Sequence, residues 1–179
     1  MAAYSKKVCL LGEFAVGKTS LVKRFVYDRF DDDYLSTIGV KVSRKTVSVP
    51  ASGGNSTNSK QRIELTMMLW DLAGSEAFNQ IRTSYLRGAA GAIIVCDLTR
   101  AETLDSLQQY IKILLQTSSD AKLIIAANKV DLVDEHELTE DDIAQFAAKF
   151  DAPYFLTSAK AGDNVDQLFE VLGKMLVSE

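Results

Sequence analysis

The stretch that most restricts what this chain can fold into is "KVCLLGEFAVGKTSLVKRFV", residues 7–26. An apolar run leads directly into the spacing GxxxxGK[ST], carried by Gly12, Gly17, Lys18 and Thr19, and a helical pattern of Leu21, Val22, Phe25 and Val26 starts at once. Strand, glycine loop and helix in that order gather inward-pointing backbone N–H groups and the positive end of a helix around one point, which is where an anion binds. Lys18 adds a point charge for the β and γ phosphates of a nucleotide, and the Thr19 hydroxyl can ligate Mg²⁺. A glycine turn beside a surface lysine would need neither flanking element. The motif specifies phosphate and leaves the base open, because ATPases and nucleotide kinases share it.

The rest of the chain repeats the strand-then-helix rhythm. Short apolar runs predict strands at 6–11, 92–97, 122–127 and 154–157, the kind buried on both faces in a parallel sheet. Two more are predicted at 40–49 and 62–70, where Ile63, Leu65, Met67 and Leu69 alternate with Glu64, Thr66 and Met68. The segment between that pair, "PASGGNSTNSK", is small and polar and reads as a mobile surface loop, with a binding role for residues 50–61 left open. Helical stripes are formed by Leu104, Leu107, Ile111 and Leu114, by Ile143, Phe146, Ala147 and Phe150, and by Val165, Leu168, Phe169, Leu172 and Leu176. Thr139 and Asp142 ahead of the second stripe have the spacing of a capping pair.

At 179 residues the chain suits one domain, 1–179, and a net charge of −4 without a basic cluster argues against a nucleic-acid partner. Cys9 and Cys96 each sit in an apolar run and read as buried thiols in a reducing compartment. No apolar stretch reaches the length of a membrane span, the start lacks a secretory apolar region, and alanine rather than glycine follows Met1. A cytoplasmic location is therefore expected. The closing "KMLVSE" offers no cysteine for prenylation, so a peripheral place on intracellular membranes is expected only if a lipidated tail follows it. His136, in "DEHEL", reads as a solvated loop residue.

The base is addressed by "ANKVD". The NKxD spacing puts Asn128, Lys129 and Asp131 at the carboxyl end of a strand, where open α/β sheets bind ligands. A carboxylate at Asp131 can accept from both the ring N–H and the exocyclic amino group of guanine, and adenine offers no such pair on that edge. Guanine follows from that match. Downstream, "TSAK" supplies Ser158, Ala159 and Lys160 after the last strand.

The phosphate loop, Thr37 in "YLSTIGV", the DxxG of "WDLAG", NKVD and SAK resemble, in order and spacing, the Ras superfamily of small GTPases over essentially the whole chain. "YLSTIGV" and "SYLRGAAGAIIVCDLT" look most like its Rab branch. The expected fold is α/β of the P-loop NTPase kind: a six-stranded, mostly parallel sheet with one antiparallel edge strand and helices on both faces. The resemblance implies a switch in which γ phosphate and Mg²⁺ hold two loops until GTP becomes GDP. It implies nucleotide contacts along Gly12, Glu13, Phe14, Ala15, Val16, Gly17, Lys18, Thr19 and Ser20, and at Tyr34. Mg²⁺ would be held by Thr19, Thr37 and Asp71, and Thr37 would also meet the γ phosphate. Gly74 would offer it an N–H, Phe30 would pack on guanine, and the backbone of Ala159 would meet the guanine oxygen. Effectors would read Val42, Trp70 and Tyr85, where valine replaces an expected phenylalanine; both aromatics also suit an ordinary core edge. An exchange factor, a GTPase-activating partner and a monomeric state complete what the likeness implies.

Two positions depart from the family. After DxxG a glutamine usually aligns the attacking water, and here stands Ser75, whose hydroxyl cannot span the same gap. With Lys18, Thr37 and Gly74 it makes up the expected catalytic set. Phe14 fills a loop position often given to a small residue, and its ring stands to crowd an incoming arginine. The sequence therefore points to a slow hydrolase. It leaves open a tolerated substitution with water held by a neighbour such as Glu76, and a GTP-binding interaction module with negligible turnover. A P-loop kinase fits less well, because it leaves NKVD and SAK unexplained.

Overall fold

The computed structural model describes residues 3–33, 35–51, 61–74 and 79–178, with the backbone alone for 79–82. Tyr34, Ser75, Glu76 and most of the 50–61 segment lie outside the described residues. In chain order the elements are β1 (Ala3–Leu11), α1 (Lys18–Tyr27), β2 (Val40–Pro50), β3 (Arg62–Leu72), α2 (Asn79–Leu86), β4 (Gly91–Asp97) and α3 (Glu102–Asp105). They continue as α4 (Leu107–Thr117), β5 (Lys122–Asn128), α5 (Glu140–Ala148), β6 (Tyr154–Leu156) and α6 (Val165–Val177). The six strands make one sheet in the order β2-β3-β1-β4-β5-β6. β2 runs antiparallel to β3 at one edge, and every other neighbouring pair is parallel, as expected.

The period of two in each central strand splits the core into two layers. Val8, Leu10, Ile93, Val95, Ile124 and Ala126 face α1 and α6, where Phe25 stacks on Phe169 with ring centroids 3.7 Å apart. Cys9, Leu11, Ile94, Cys96, Ile125 and Ala127 face α4 and α5 through Leu107, Ile111, Leu114, Ile143 and Phe146. The helical stripes read from sequence are these buried faces. Both thiols are fully buried and free, and burial pushes Cys9 up to about 11 and Cys96 up to about 12. Among the described residues no helix is long and apolar enough to cross a membrane.

The strands differ from the expected bounds mainly by extension. β1 starts at Ala3, three residues before the apolar run, because its early residues pair with β3 from Ala3↔Glu64 onward. α2 has no counterpart in the sequence reading, since "NQIRTSYL" shows little apolar periodicity. The stripe from Leu104 to Leu114 is divided at Ser106 into the short α3 and the longer α4. The capping box at α5 forms as spaced: Thr139 Oγ1 accepts from the Asp142 N–H, and the Asp142 carboxylate accepts from the Thr139 N–H at 2.8 Å.

Candidate functional site

Parallel strands that all finish at one edge of the sheet leave their connecting loops there. Leu11, Leu72, Asp97, Asn128 and Leu156 end their strands on this edge. The loops surround a cavity of about 580 Å³ lined by residues from all five of the sequence motifs.

The phosphate loop closes between β1 and α1. Gly12 and Gly17 take φ of 151° and 104°, and a Cβ on Gly17 would stand 2.2 Å from Asn128 Nδ2, so only glycine fits there. Ala15, with φ 61°, holds a left-handed conformation without being glycine. The Lys18 ammonium donates to the Gly12 and Glu13 carbonyls at 2.8 Å each, which fixes it beside the loop. Phe14, Ala15, Gly17, Lys18, Thr19 and Ser20 line the cavity, whereas Gly12, Glu13 and Val16 do not. Phe14, one of the lining residues, is 48% exposed.

At the end of β5 Asn128 ties three motifs together. Its side-chain amide donates to the Val16 carbonyl at 3.0 Å, and its Oδ1 accepts from Thr157 Oγ1 and from the Ala159 N–H, both at 3.2 Å. Asp131 lines the cavity and is oriented by Ser158, whose hydroxyl donates to Asp131 Oδ1 at 2.7 Å. Ser158 is itself buried behind the wall. Lys129 and Lys160 also line the cavity, and Phe30 closes it while resting on the α1–α6 core layer. The Ala159 N–H already has Asn128 as acceptor, so an incoming oxygen would share it.

At the start of α1 lies an oxygen cluster. Thr19 Oγ1 is 2.5 Å from Thr37 Oγ1 and donates to Asp71 Oδ2. Asp71 is 1% exposed, and its Oδ1 has no hydrogen-bond partner among the described residues. Burial pushes the Asp71 carboxyl up, partly opposed by the Thr19 hydroxyl and by Lys18 and Lys41. A buried carboxylate with an unmet oxygen beside two hydroxyls is a donor set for a hard cation that keeps several of its own waters. It fits Mg²⁺. Gly74 stands against the phosphate loop, where an added Cβ would meet Glu13 C and Phe14 N at 2.6 Å.

The Ras family model matches residues 7–178. The chain is 38% identical over 179 residues to the Ras-related protein Rab-22A of Canis lupus familiaris, covering 99% of this chain and 87% of that protein. It is 35% identical over 171 residues to the Ras-related protein SEC4 of Saccharomyces cerevisiae, covering 95% and 74%, and 37% identical over 177 residues to the GTP-binding protein ypt5 of Schizosaccharomyces pombe, covering 98% and 79%. The chain belongs to the Ras family. Its relatives set it in the Rab branch, and Ras-family proteins are GTP-dependent switches that bind GTP or GDP with Mg²⁺ and hydrolyse GTP.

Val42, Trp70 and Tyr85 come close together away from the cavity. Val42 lies opposite Trp70 across β2 and β3, and the Trp70 and Tyr85 rings are 6.1 Å apart at 49°. Val42 is exposed, while both aromatics pack partly against the core, with the Lys7 ammonium 3.9 Å above Trp70. Other residues at the site carried no signal in the motif reading. Lys23 pairs with Asp31 at 2.7 Å beside the cavity, and Arg24 donates to the Ala159 carbonyl at 2.8 Å. Lys41 lines the cavity in register with Asp71. Asp97, fully buried, accepts from Lys129 at 2.8 Å; its place at the carboxyl end of β4 was the clue available in the sequence. His136, read as solvated, is half-buried with a ring nitrogen 3.2 Å from the Lys129 carbonyl.

Proposed function

We propose that this chain is a single G domain, residues 1–179, that works as a Rab-type switch, binding GTP and GDP with Mg²⁺ and hydrolysing GTP slowly. The observation that carries the proposal is the Asn128 side chain, which joins the phosphate loop at Val16 to the SAK segment at Ala159 within one cavity wall. Phosphate cradle and base pocket are thereby held at a fixed distance, as a single nucleotide spanning both requires.

Each residue has a role in this reading. Loop amides and Lys18 hold the β and γ phosphates, and Asp131, aimed by Ser158, selects guanine over adenine. Phe30 packs on the base. Thr19, Thr37 and Asp71 hold Mg²⁺, which neutralises charge on the phosphates. Thr37 and Gly74 belong to the two segments that read the γ phosphate and relax once it leaves. Tyr34 is assigned to the nucleotide on the family likeness alone.

Slow turnover rests on Ser75, which lies outside the described residues, so its support is the sequence. A hydroxyl so close to the backbone does not reach a water in line with the γ phosphate, and misplacement of that kind costs ~100-fold or more in rate. The exposed Phe14, which lines the cavity, further obstructs an arginine supplied by a partner. A partner bringing both arginine and glutamine would bypass the two obstacles. Single-turnover hydrolysis of pre-bound GTP is expected to accelerate in Ser75→Gln. An unchanged rate would remove Ser75 from the explanation. A rate of zero in both proteins would favour a GTP-binding module without useful turnover.

The Rab names of the relatives support a place in vesicle trafficking, with effectors at Val42, Trp70 and Tyr85, an exchange factor and an accelerating partner. The protein is proposed to be monomeric and cytoplasmic, and peripheral to intracellular membranes where a lipidated tail is present.

A further inference from the structure

The backbone of the phosphate loop is also held by a residue that does not line the cavity. Arg100, just after β4, donates through Nη2 to the Phe14 carbonyl at 2.8 Å and through Nε to Asp97 Oδ2 at 3.1 Å. Asp97 is fully buried and takes two further bonds on its other oxygen, from the Thr99 N–H at 2.8 Å and the Thr99 hydroxyl at 2.7 Å. Lys129 completes the set on Oδ2 at 2.8 Å. The guanidinium is thus a rigid two-pronged fork with one prong anchored in the core and the other on the loop backbone.

The Phe14 carbonyl and the Ala15 N–H belong to one peptide unit. No described peptide bond is cis, so the two groups point in opposite directions. Phe14 and Ala15 line the cavity, and Arg100 and Asp97 do not. A carbonyl held by Arg100 therefore fixes the Ala15 N–H on the other side of that peptide, and Ala15 itself lines the cavity. The same residue bears the loop's unusual conformation, φ 61° at an alanine, which persists only where the surroundings fix it.

We propose that Arg100 is a positioning residue of the phosphate site: anchored by Asp97, it sets the Phe14–Ala15 peptide plane so that the Ala15 N–H donates to the bound phosphates. This rests on the nucleotide reading given above. The side chain acts only through the backbone it holds, and its effect falls on GDP and GTP alike.

The test compares the native protein with Arg100→Ala, loaded with GDP and Mg²⁺, by GDP release and by amide hydrogen exchange resolved by NMR. In the native protein the Ala15 amide is expected to be protected. In Arg100→Ala it loses that protection and GDP leaves ~10-fold faster or more, the size of a lost charge-assisted bond. The Leu21 amide, bonded to the Gly17 carbonyl at the start of α1, keeps its protection, which separates loss of one peptide plane from general loosening. Should Arg100→Ala fold poorly, Arg100→Gln removes the guanidinium fork and leaves a shorter, neutral side chain that does not reach the Phe14 carbonyl, with the same two outcomes expected. Unchanged Ala15 protection and GDP release in the variant would overturn the proposal. A native protein that retains GDP no better than ADP would instead overturn the nucleotide reading beneath it.

Discussion

Asn128→Ala is expected to lower stability more than removal of a side chain this size normally does. The wild-type amide makes three bonds, to the Val16 carbonyl, Thr157 Oγ1 and the Ala159 N–H, and all four residues are buried. Alanine leaves those three partners facing a hole. A net value of about 1 kcal/mol per bond gives about 3 kcal/mol, and buried partners left unsatisfied raise it to roughly 3–6 kcal/mol. Against a total of about 5–15 kcal/mol for a domain, that is a large share. Urea unfolding at a fixed excess of GDP reads it as a midpoint lowered by about 1 M or more, using slopes of about 1–3 kcal/mol/M. Part of the shift then reflects weaker GDP binding, so the titration is repeated at a second GDP concentration to separate the two. Asn128→Asp keeps the acceptor for Thr157 and Ala159 but sets a carboxylate against the Val16 carbonyl, and should lose at least as much. A midpoint unchanged in both variants would refute the assignment of Asn128 as the link between the loops.

Gly74→Ala places a methyl 2.6 Å from Glu13 C and Phe14 N and 2.7 Å from Gly12 O, backbone atoms that cannot rotate aside. Overpacking of about 1–3 kcal/mol should push the DxxG segment off the phosphate loop and weaken GTP relative to GDP by ~10-fold in a competition assay, and an unchanged ratio would count against a γ-phosphate role for Gly74. For Asp97, burial pushes the carboxyl up, but the bonds from Lys129 and Thr99 outweigh it and leave it below the usual carboxylate range. A depressed folded pKa means stability that is present above the unfolded value of about 3.9 and lost as pH falls through the folded one. Asp97→Asn should therefore be clearly less stable than the native protein at pH 7, with the gap narrowing below about pH 4; parallel unfolding midpoints across that range would contradict it. Asp131→Asn is expected to relax the preference for GDP over ADP, measured by competition, and full retention of that preference would contradict the base assignment.

Much of this architecture was legible because its signals are local. The glycine spacing of the phosphate loop, the apolar runs of β1, β4 and β5, and the Thr139–Asp142 box each lie within a few residues of what they determine. Alternation along 62–70 marked β3 as a strand, while the antiparallel edge came with the family likeness. What escaped the sequence reading depends on distance along the chain. Arg100 meets Phe14 across 86 positions, and Ser158 meets Asp131 across 27, so neither contact leaves a pattern in the letters. The division of the Leu104–Leu114 stripe escaped for another reason: Ser106 takes right-handed helical angles, and no proline or glycine marks the break. Lys41 gave no sign either, because an exposed lysine on an edge strand is ordinary until the sheet sets it opposite Asp71.

Calorimetric titration of nucleotide-free protein with GDP and, separately, ADP in the presence of Mg²⁺ tests the guanine-nucleotide site most directly. GDP should bind ~1000-fold more tightly or better, as a pocket built to satisfy specific hydrogen bonds discriminates against a ligand that cannot make them. Equal affinity for the two nucleotides, or no heat with either, would contradict it.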